Sequence, residues 1–271
     1  MTDIRVEEIA YSYPDGTQAL AELSMTVESG ELACVLGPSG CGKTTTLQVL
    51  SGLAAPSKGS VTIGSQEVMG GRGADRASGV RCGYMFQDGR LLPWRTIRQN
   101  LEIAMGAAGV PKATWRPRIQ ELLELVNIAD YKEAWPLNLS GGQRQRAALA
   151  RALAIDPQVL LMDEPFGTLD EVTARGLRLE LLRIWEATGI TIVFVTHSIR
   201  EAVFLADVVY LLTDGPGRLL ERVPVTLPRP RIYESAELAE VERAVTQLAL
   251  REWGQMKSQR LLEEVAPPVE A

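Results

Sequence analysis

The chain has 271 residues and a mass of 29.6 kDa, enough for one domain with a subdomain or tail and for a sizeable core. Hydrophobic residues make up 46% and charged residues 23%, the balance of a globular protein rather than a disordered, fibrous or membrane-spanning one. A net charge of -6 and a pI near 5.1 exclude the basic footprint that sequence-independent nucleic-acid binding needs.

Uncharged stretches such as Ala104–Val110 and Ile190–Ser198 fall far short of the roughly 18 apolar residues of a spanning helix. The N-terminus carries Asp3, Glu7 and Glu8 where a signal peptide has a basic and then an apolar region, so a cytoplasmic chain is expected. Cys34, Cys41 and Cys82 are too few and too irregular for a disulfide framework or a CxxC metal site. With His197 the single histidine, a histidine metal cluster is excluded and any imidazole chemistry passes through that one side chain.

In chain order, residues 1–36 alternate polar and apolar around Pro14-Asp15-Gly16, the pattern of a hairpin or small antiparallel sheet. A buried strand, Leu32–Leu36, runs through Gly37–Thr44 into a helical run, Thr45–Leu53. Short strands are expected at Ser60–Ile63 and Cys82–Phe86, separated by a Gly-rich loop, Met69–Gly79. From Leu101 to Ala154 the spacing of Ile119, Leu122, Leu123 and Val126 predicts helix, a candidate inserted helical subdomain. Apolar strands return at Val159–Met162 and Thr191–Val195 around a helix at Glu171–Ala187, an alternation that predicts a parallel sheet covered by helices. Strand-like pieces follow in Asp207–Val225, Pro228-Arg229-Pro230-Arg231 ends the domain, and Leu238, Val241, Val245 and Leu248 give the tail helical spacing.

Gly37-Pro38-Ser39-Gly40-Cys41-Gly42-Lys43-Thr44 fits G-x-x-x-x-G-K-[ST] between a buried strand and a helix. Glycines let backbone N–H groups close around phosphates, and the helix N-terminus adds partial positive charge. Lys43 suits the β- and γ-phosphates and the Thr44 hydroxyl suits Mg²⁺. Downstream, Leu161-Met162-Asp163-Glu164-Pro165 puts two carboxylates at the tip of a buried strand, where Asp163 can hold Mg²⁺ and Glu164 can act as general base toward water. Leu139-Ser140-Gly141-Gly142-Gln143 precedes the helical run Arg144–Ala154. Ser140 is a natural N-cap there, and the glycine amides are free for an anion.

With these three motifs in this order, the sequence resembles the ATP-binding cassette (ABC) ATPases, over about residues 4–230. The resemblance implies an α/β fold: a P-loop NTPase of ABC type with a RecA-like parallel-sheet core, an N-terminal antiparallel β-subdomain and an inserted helical subdomain. It implies a nucleotide-binding domain at 1–230, with the helical subdomain at about 95–157, and a C-terminal helical extension at 231–271. In the family, Leu139–Gln143 is the signature that binds the γ-phosphate held by the opposite subunit. This implies a head-to-tail homodimer with two ATP molecules at its interface. Tyr13 resembles the aromatic that stacks on adenine, with Tyr11 close enough to compete; Thr45 extends the phosphate-loop contacts. Gln87 resembles the glutamine that contacts Mg²⁺ and the attacking water. Asp170, in Gly167-Thr168-Leu169-Asp170 where Ser-Ala-Leu-Asp is more usual, matches the loop contacting the other subunit and is also a good N-cap. His197 resembles the histidine that contacts the γ-phosphate.

Leu91-Leu92-Pro93-Trp94 after Gln87, with Gly215-Pro216-Gly217-Arg218 and Pro228–Arg231, is similar to ATPase subunits of the nitrate, sulfonate and taurine importers. That implies integral-membrane permease subunits as partners, an extracytoplasmic binding protein acting through them, a peripheral place at the cytoplasmic face of the plasma membrane, and no nucleic acid. Leu91, Leu92 and Trp94 are candidate docking residues, with Trp94 shared between a partner groove and the helical core. Two alternatives stand against this reading. One is a mechanical cassette ATPase working on nucleic acid or ribosomes, which the acidic charge disfavours. The other is a phosphotransferase, which has no use for Leu139–Gln143.

Overall fold

A computed structural model describes residues 2–68, 70 and 80–265, with side chains to residue 254; apart from Gly70, the Gly-rich stretch Met69–Gly79 lies outside the described residues. The hairpin expected at the N-terminus forms from β1 (Ile4–Ser12) and β2 (Gln18–Val27). Its turn is closed by the Tyr13 amide donating to the Thr17 carbonyl at 2.8 Å and the Thr17 amide donating to the Asp15 carboxylate at 2.9 Å. With β4 (Lys58–Ile63) and β5 (Gln66–Glu67) the pair makes a four-stranded antiparallel sheet in the order β2-β1-β4-β5.

The second sheet collects β3 (Leu32–Leu36), β6 (Cys82–Met85), β7 (Val159–Asp163), β8 (Thr191–Thr196), β9 (Val208–Leu212) and β10 (Leu219–Pro224) in the order β10-β9-β3-β8-β7-β6. Every ladder is parallel except β10 with β9. Strands β3, β7, β8 and β9 are buried at every position, which is why the sequence reads there as unbroken apolar runs. Alternate side chains feed two cores. Leu32, Cys34, Leu160, Met162, Ile192 and Phe194 point into the helical side. Ala33, Val35, Leu161, Val193 and Val195 face α1 (Lys43–Leu50) and the antiparallel sheet.

The helical side is built from α2 (Ile97–Ala107), α3 (Trp115–Leu125), α4 (Gly141–Ala154), α5 (Glu171–Thr188), α6 (Ile199–Leu205) and α7 (Ala236–Val265). The stretch expected as one helical block thus divides into three helices joined by 3₁₀ turns at Lys112–Thr114, Ala129–Tyr131 and Pro136–Asn138. Reciprocal capping boxes start α2 (Thr96 with Gln99) and α4 (Ser140 with Gln143). Among the described residues the tail forms one helix, α7, and its Leu238, Val245 and Ala249 pack into the main core.

Two arginines from Pro228–Arg231 fasten this tail to α6. Arg229 stacks on Trp185 and pairs with Asp207. Arg231, buried, donates to the carbonyls of Val203, Phe204 and Ala206 at the C-terminus of α6 and to those of Val225 and Leu227, at 2.7–3.2 Å. Burial lowers its pKa to about 10, still above neutrality, so a full cation faces the negative end of the helix. Arg231→Ala orphans five carbonyl oxygens at once and is expected to cost about 3 kcal/mol of stability, read as a lowered midpoint in guanidinium unfolding.

Candidate functional site

The phosphate loop leaves β3 at Gly37 and enters α1 at Lys43, with Gly42 at φ 99°. A side chain at Gly42 would be strained by that φ and would strike the Ala19 carbonyl oxygen. Lys43 is 6% exposed, and its ammonium is held by the carbonyls of Gly37 (2.9 Å) and Pro38 (2.8 Å). The cation is thereby fixed at the mouth of its own loop. On the far side Gly217 comes so close that a Cβ there would strike the Cys41 carbonyl oxygen. Its backbone also pairs with Ala19 and Ala21 of β2. The Gly215–Arg218 segment therefore braces the phosphate loop against the antiparallel sheet.

Parallel register brings the other polar residues to the same edge. Leu36 of β3 pairs with Thr196 of β8, Val195 with Asp163 of β7, and Met162 with Met85 of β6. Residues just past those ends are consequently neighbours. The Thr44 hydroxyl donates to the buried Asp163 carboxylate at 3.1 Å. Glu164 is turned out of the strand at φ 40° and held there by its amide bonded to the Val195 carbonyl at 3.1 Å. Its carboxylate meets three partners: Lys43 at 3.8 Å, the Gln87 amide nitrogen at 3.1 Å and His197 Nδ1 at 3.3 Å. Thr44, Gln87 and His197 are exposed at the rim, while Lys43 and Asp163 lie buried below.

This donor set suits a hard cation bound with phosphate. Thr44 and Asp163 supply oxygen directly and Gln87 stands beside Glu164, with no soft ligand among them. Among the described residues no three His, Cys, Asp or Glu side chains gather into a metal cage, and Mg²⁺ completed by phosphate oxygens and water needs none.

The two tyrosines stand in different surroundings. Tyr13 is exposed and bonds through its hydroxyl to Thr45 Oγ1 at 2.8 Å, at the start of α1. Tyr11 packs edge-on behind it against the antiparallel core. Ser140 and Gln143 cap α4 and bond to each other. A Cβ on Gly141 would touch Leu169, and one on Gly142 would collide with Thr173. Asp170 caps α5 by accepting from the Thr173 amide at 3.0 Å, and those backbone bonds hold its pKa below the usual value. The structure thus joins Ser140–Gln143 to the Asp170 loop. No hydrogen bond links Ser140–Gln143 to Gly37–Thr45 among the described residues.

Three further residues organise the site. Buried Asn100 accepts from the Leu92 amide at 2.7 Å and donates to the carbonyls of Leu92, Arg95 and Thr96, pinning the turn after Gln87. Leu91 packs inward while Trp94 stands 64% exposed, so the expected sharing of Trp94 with the core resolves outward. Gln145 donates to the Gln87 carbonyl at 2.9 Å and reaches Thr168 at 3.5 Å. Arg151 donates to the carbonyls of Gly89 and Arg90. A polar residue on the buried face of a helix was the one available sequence signal for Asn100 and Gln145.

The ABC transporter family model matches residues 20–167. The chain is 42% identical over 228 residues (84% of this chain, 83% of the relative) to an uncharacterized ABC transporter ATP-binding protein of Methanocaldococcus jannaschii. It is 42% identical over 224 residues (82% and 85%) to the taurine import ATP-binding protein of Escherichia coli K12. Among solved structures it resembles a dimeric ATP-binding cassette in a post-hydrolysis state bound to ADP and Pi. There the TM-score is 0.73 at 27% identity, covering 83% of this chain and all of that one. It also resembles cbiO1 of Clostridium perfringens, part of the transporter complex cbiONQ, with a TM-score of 0.74 at 27% identity, covering 96% and 98%. The chain belongs to the ABC transporter family and is one of its ATP-binding subunits, an ATPase coupled to transport. These relatives give no support to a mechanical ATPase acting on nucleic acid or ribosomes.

Burial raises the Asp163 carboxyl above its ordinary pKa, against the lowering effect of the Thr44 hydrogen bond. A proton held more tightly in the folded than in the unfolded chain means that ionised Asp163 subtracts from stability at neutral pH. That loss is relieved as pH falls through the raised value. Asp163→Asn is therefore expected to raise Tm at pH 7 by about 2–4 °C while removing ATP turnover, measured by thermal unfolding and phosphate release.

Proposed function

We propose that this chain is the ATP-hydrolysing subunit of an importer for a small anion of the nitrate, sulfonate or taurine kind, with Glu164 as its general base. The observation that carries the reading is the Glu164 carboxylate, set between Lys43, Gln87 and His197 at the lip of the phosphate loop. The substrate class rests on the similarity to the taurine import protein and on Leu91–Trp94, and is read by the partner subunits rather than by this chain.

In this reading the amides of Gly37–Thr44 and the Lys43 ammonium bind the β- and γ-phosphates, with Thr45 beside them and Tyr13 stacked on adenine. Thr44, Asp163 and Gln87 would hold Mg²⁺, which would supply positive charge against the phosphates. Glu164 takes a proton from the attacking water, Gln87 orients that water, and His197 donates toward the γ-phosphate while its contact with Glu164 fixes its place. Since among the described residues Ser140–Gln143 have no hydrogen bond to their own phosphate loop, we assign them to the nucleotide of a second copy. Asp170 stands beside them at the interface of a head-to-tail homodimer holding two ATP molecules.

Residues 1–230 form the nucleotide-binding unit with the helical part at about 95–157, and 231–271 form the extension. Among the described residues no helix is long and apolar enough to cross a membrane. In this reading the subunit sits peripherally, on the cytoplasmic face of the membrane, through permease subunits docked at Leu92 and exposed Trp94, with an extracytoplasmic binding protein acting through them.

Glu164→Gln is expected to keep ATP affinity, accumulate an ATP-bound dimer on size-exclusion chromatography, and lose turnover by about 10²-fold or more. Unchanged hydrolysis sinks the assignment of the base. Lys43→Ala is expected to weaken ATP binding at least about tenfold in a nucleotide titration, and wild-type affinity would contradict the phosphate-loop reading.

A further inference from the structure

The tail after Arg231 and the buried charges behind His197 have no part in the reading above, and the structure joins them. Arg178, in the middle of α5, and Glu201, in the first turn of α6, are both buried. Arg178 Nε and Nη2 each reach Glu201 Oε1 at 3.1 Å. The second carboxylate oxygen of Glu201 accepts from the Thr196 hydroxyl at 2.5 Å. That same hydroxyl accepts the Ser198 amide at 3.1 Å, and the Glu201 amide donates to Ser198 Oγ at 3.3 Å. Both chain neighbours of His197 are thus tied to Glu201, and Glu201 is tied to Arg178.

On its other side Arg178 meets the tail. Its Nη1 donates to the Tyr233 hydroxyl at 3.0 Å and to Glu171, the residue after Asp170, at 2.9 Å. The guanidinium also lies over the rings of Tyr233 (5.6 Å) and Phe166 (5.5 Å), the latter two residues past Glu164. Tyr233 is held in turn by Arg200 of α6, which donates to its carbonyl at 2.9 Å and stacks on its ring at 4.4 Å. One cation therefore touches the turn that carries Glu164, the loop that carries Asp170, the pair that frames His197, and the start of the tail.

We propose that Arg178, seated by Tyr233 of the C-terminal extension, is a positioning residue for hydrolysis that acts through Glu201 and Thr196 on His197. It touches no reacting atom, and its effect is to hold the imidazole in register with Glu164. The proposal rests on the reading of His197 as part of the hydrolytic site. A buried ion pair whose one partner is removed leaves the other charge uncompensated, so Glu201 without Arg178 loses the geometry that frames His197. The tail supplies one of the four polar contacts of the guanidinium, and so the extension bears on the site without reaching it.

The test measures kcat, KM for ATP and ATP affinity in the purified full chain. Arg178→Gln is expected to lower kcat about tenfold or more, the scale of a misplaced catalytic group, with ATP affinity and KM within about twofold. Arg178→Gln combined with Glu201→Gln, which leaves neither member of the buried pair charged and only the exposed Glu171 without its partner, is expected to recover part of kcat. Tyr233→Phe, which removes one hydroxyl, lowers kcat by a smaller factor and covers the case in which Arg178→Gln fails to fold. In a His197→Ala background Arg178→Gln is expected to add nothing. Wild-type kcat in Arg178→Gln or, should that variant not fold, in Tyr233→Phe overturns the proposal, as does a full additional loss in the His197→Ala background. Wild-type turnover in His197→Ala alone would instead remove the reading of His197 on which it stands.

Discussion

The site depends on one constraint, the parallel register of β3, β8, β7 and β6. Because Leu36 faces Thr196, Val195 faces Asp163 and Met162 faces Met85, the chain leaves all four strands along one line. Gly37, His197, Glu164 and Gln87 then follow within two residues of it. Strand side chains alternate with period two, so a one-residue slip of β7 would carry Asp163 to the opposite face and exchange the two cores. Leu160 and Met162 on one side and Val159 and Leu161 on the other, all buried, oppose that slip. The packing of two apolar faces thus sets the position of polar groups that contribute nothing to either.

At that line electrostatics and backbone strain converge on Glu164. A non-glycine residue at φ 40° costs of order 1–3 kcal/mol unless its surroundings enforce it. Here the bond from its amide to Val195, the proline that follows and three side-chain partners drawn from three other segments do so. Each partner has a different character: a buried cation, a neutral amide and an exposed imidazole. The carboxylate is not locked into a tight ion pair, since the Lys43 contact at 3.8 Å is long and the lysine makes its short bonds to Gly37 and Pro38. A carboxylate free of a tight ion pair suits the proposed role of Glu164 as general base.

How much of this the sequence discloses varies with the range of the interaction. The phosphate loop, the Asp163-Glu164 tip and the Ser140 cap were legible because each is a local pattern in which strand, turn and helix start lie within about ten residues. The hairpin, the buried strands and the helices were legible from period and turn chemistry, with ends moved by two or three residues: α1 begins at Lys43 rather than Thr45, because Gly42 already supplies the left-handed N-cap. The long-range pieces were not legible. Nothing in the spacing of Arg178, Glu201 and Tyr233 marks them as partners, and Arg229 and Arg231 read as loop punctuation, although the first stacks on Trp185 and the second closes α6. Gly217 had a local meaning in a turn and a second, structural one against Cys41 that only the fold exposes.

Helix α4 then links the two halves of the site. Its N-terminus is the Ser140–Gln143 loop, which among the described residues no hydrogen bond ties to the phosphate loop, while its flank holds the Gln87 carbonyl through Gln145 and the carbonyls of Gly89 and Arg90 through Arg151. Gln145 Oε1 is buried with no partner, a cost that rigid burial of the side chain imposes and that its two amide contacts offset. The 14-residue helix thus carries the Ser140–Gln143 loop at its start and, on its flank, the side chains that hold the backbone after Gln87. The glycine-rich N-terminus and the backbone that presents Gln87 to Glu164 are therefore joined through one hydrogen-bonded element. The residues exposed beyond that backbone, Trp94 foremost, lie at the other end of the same linkage.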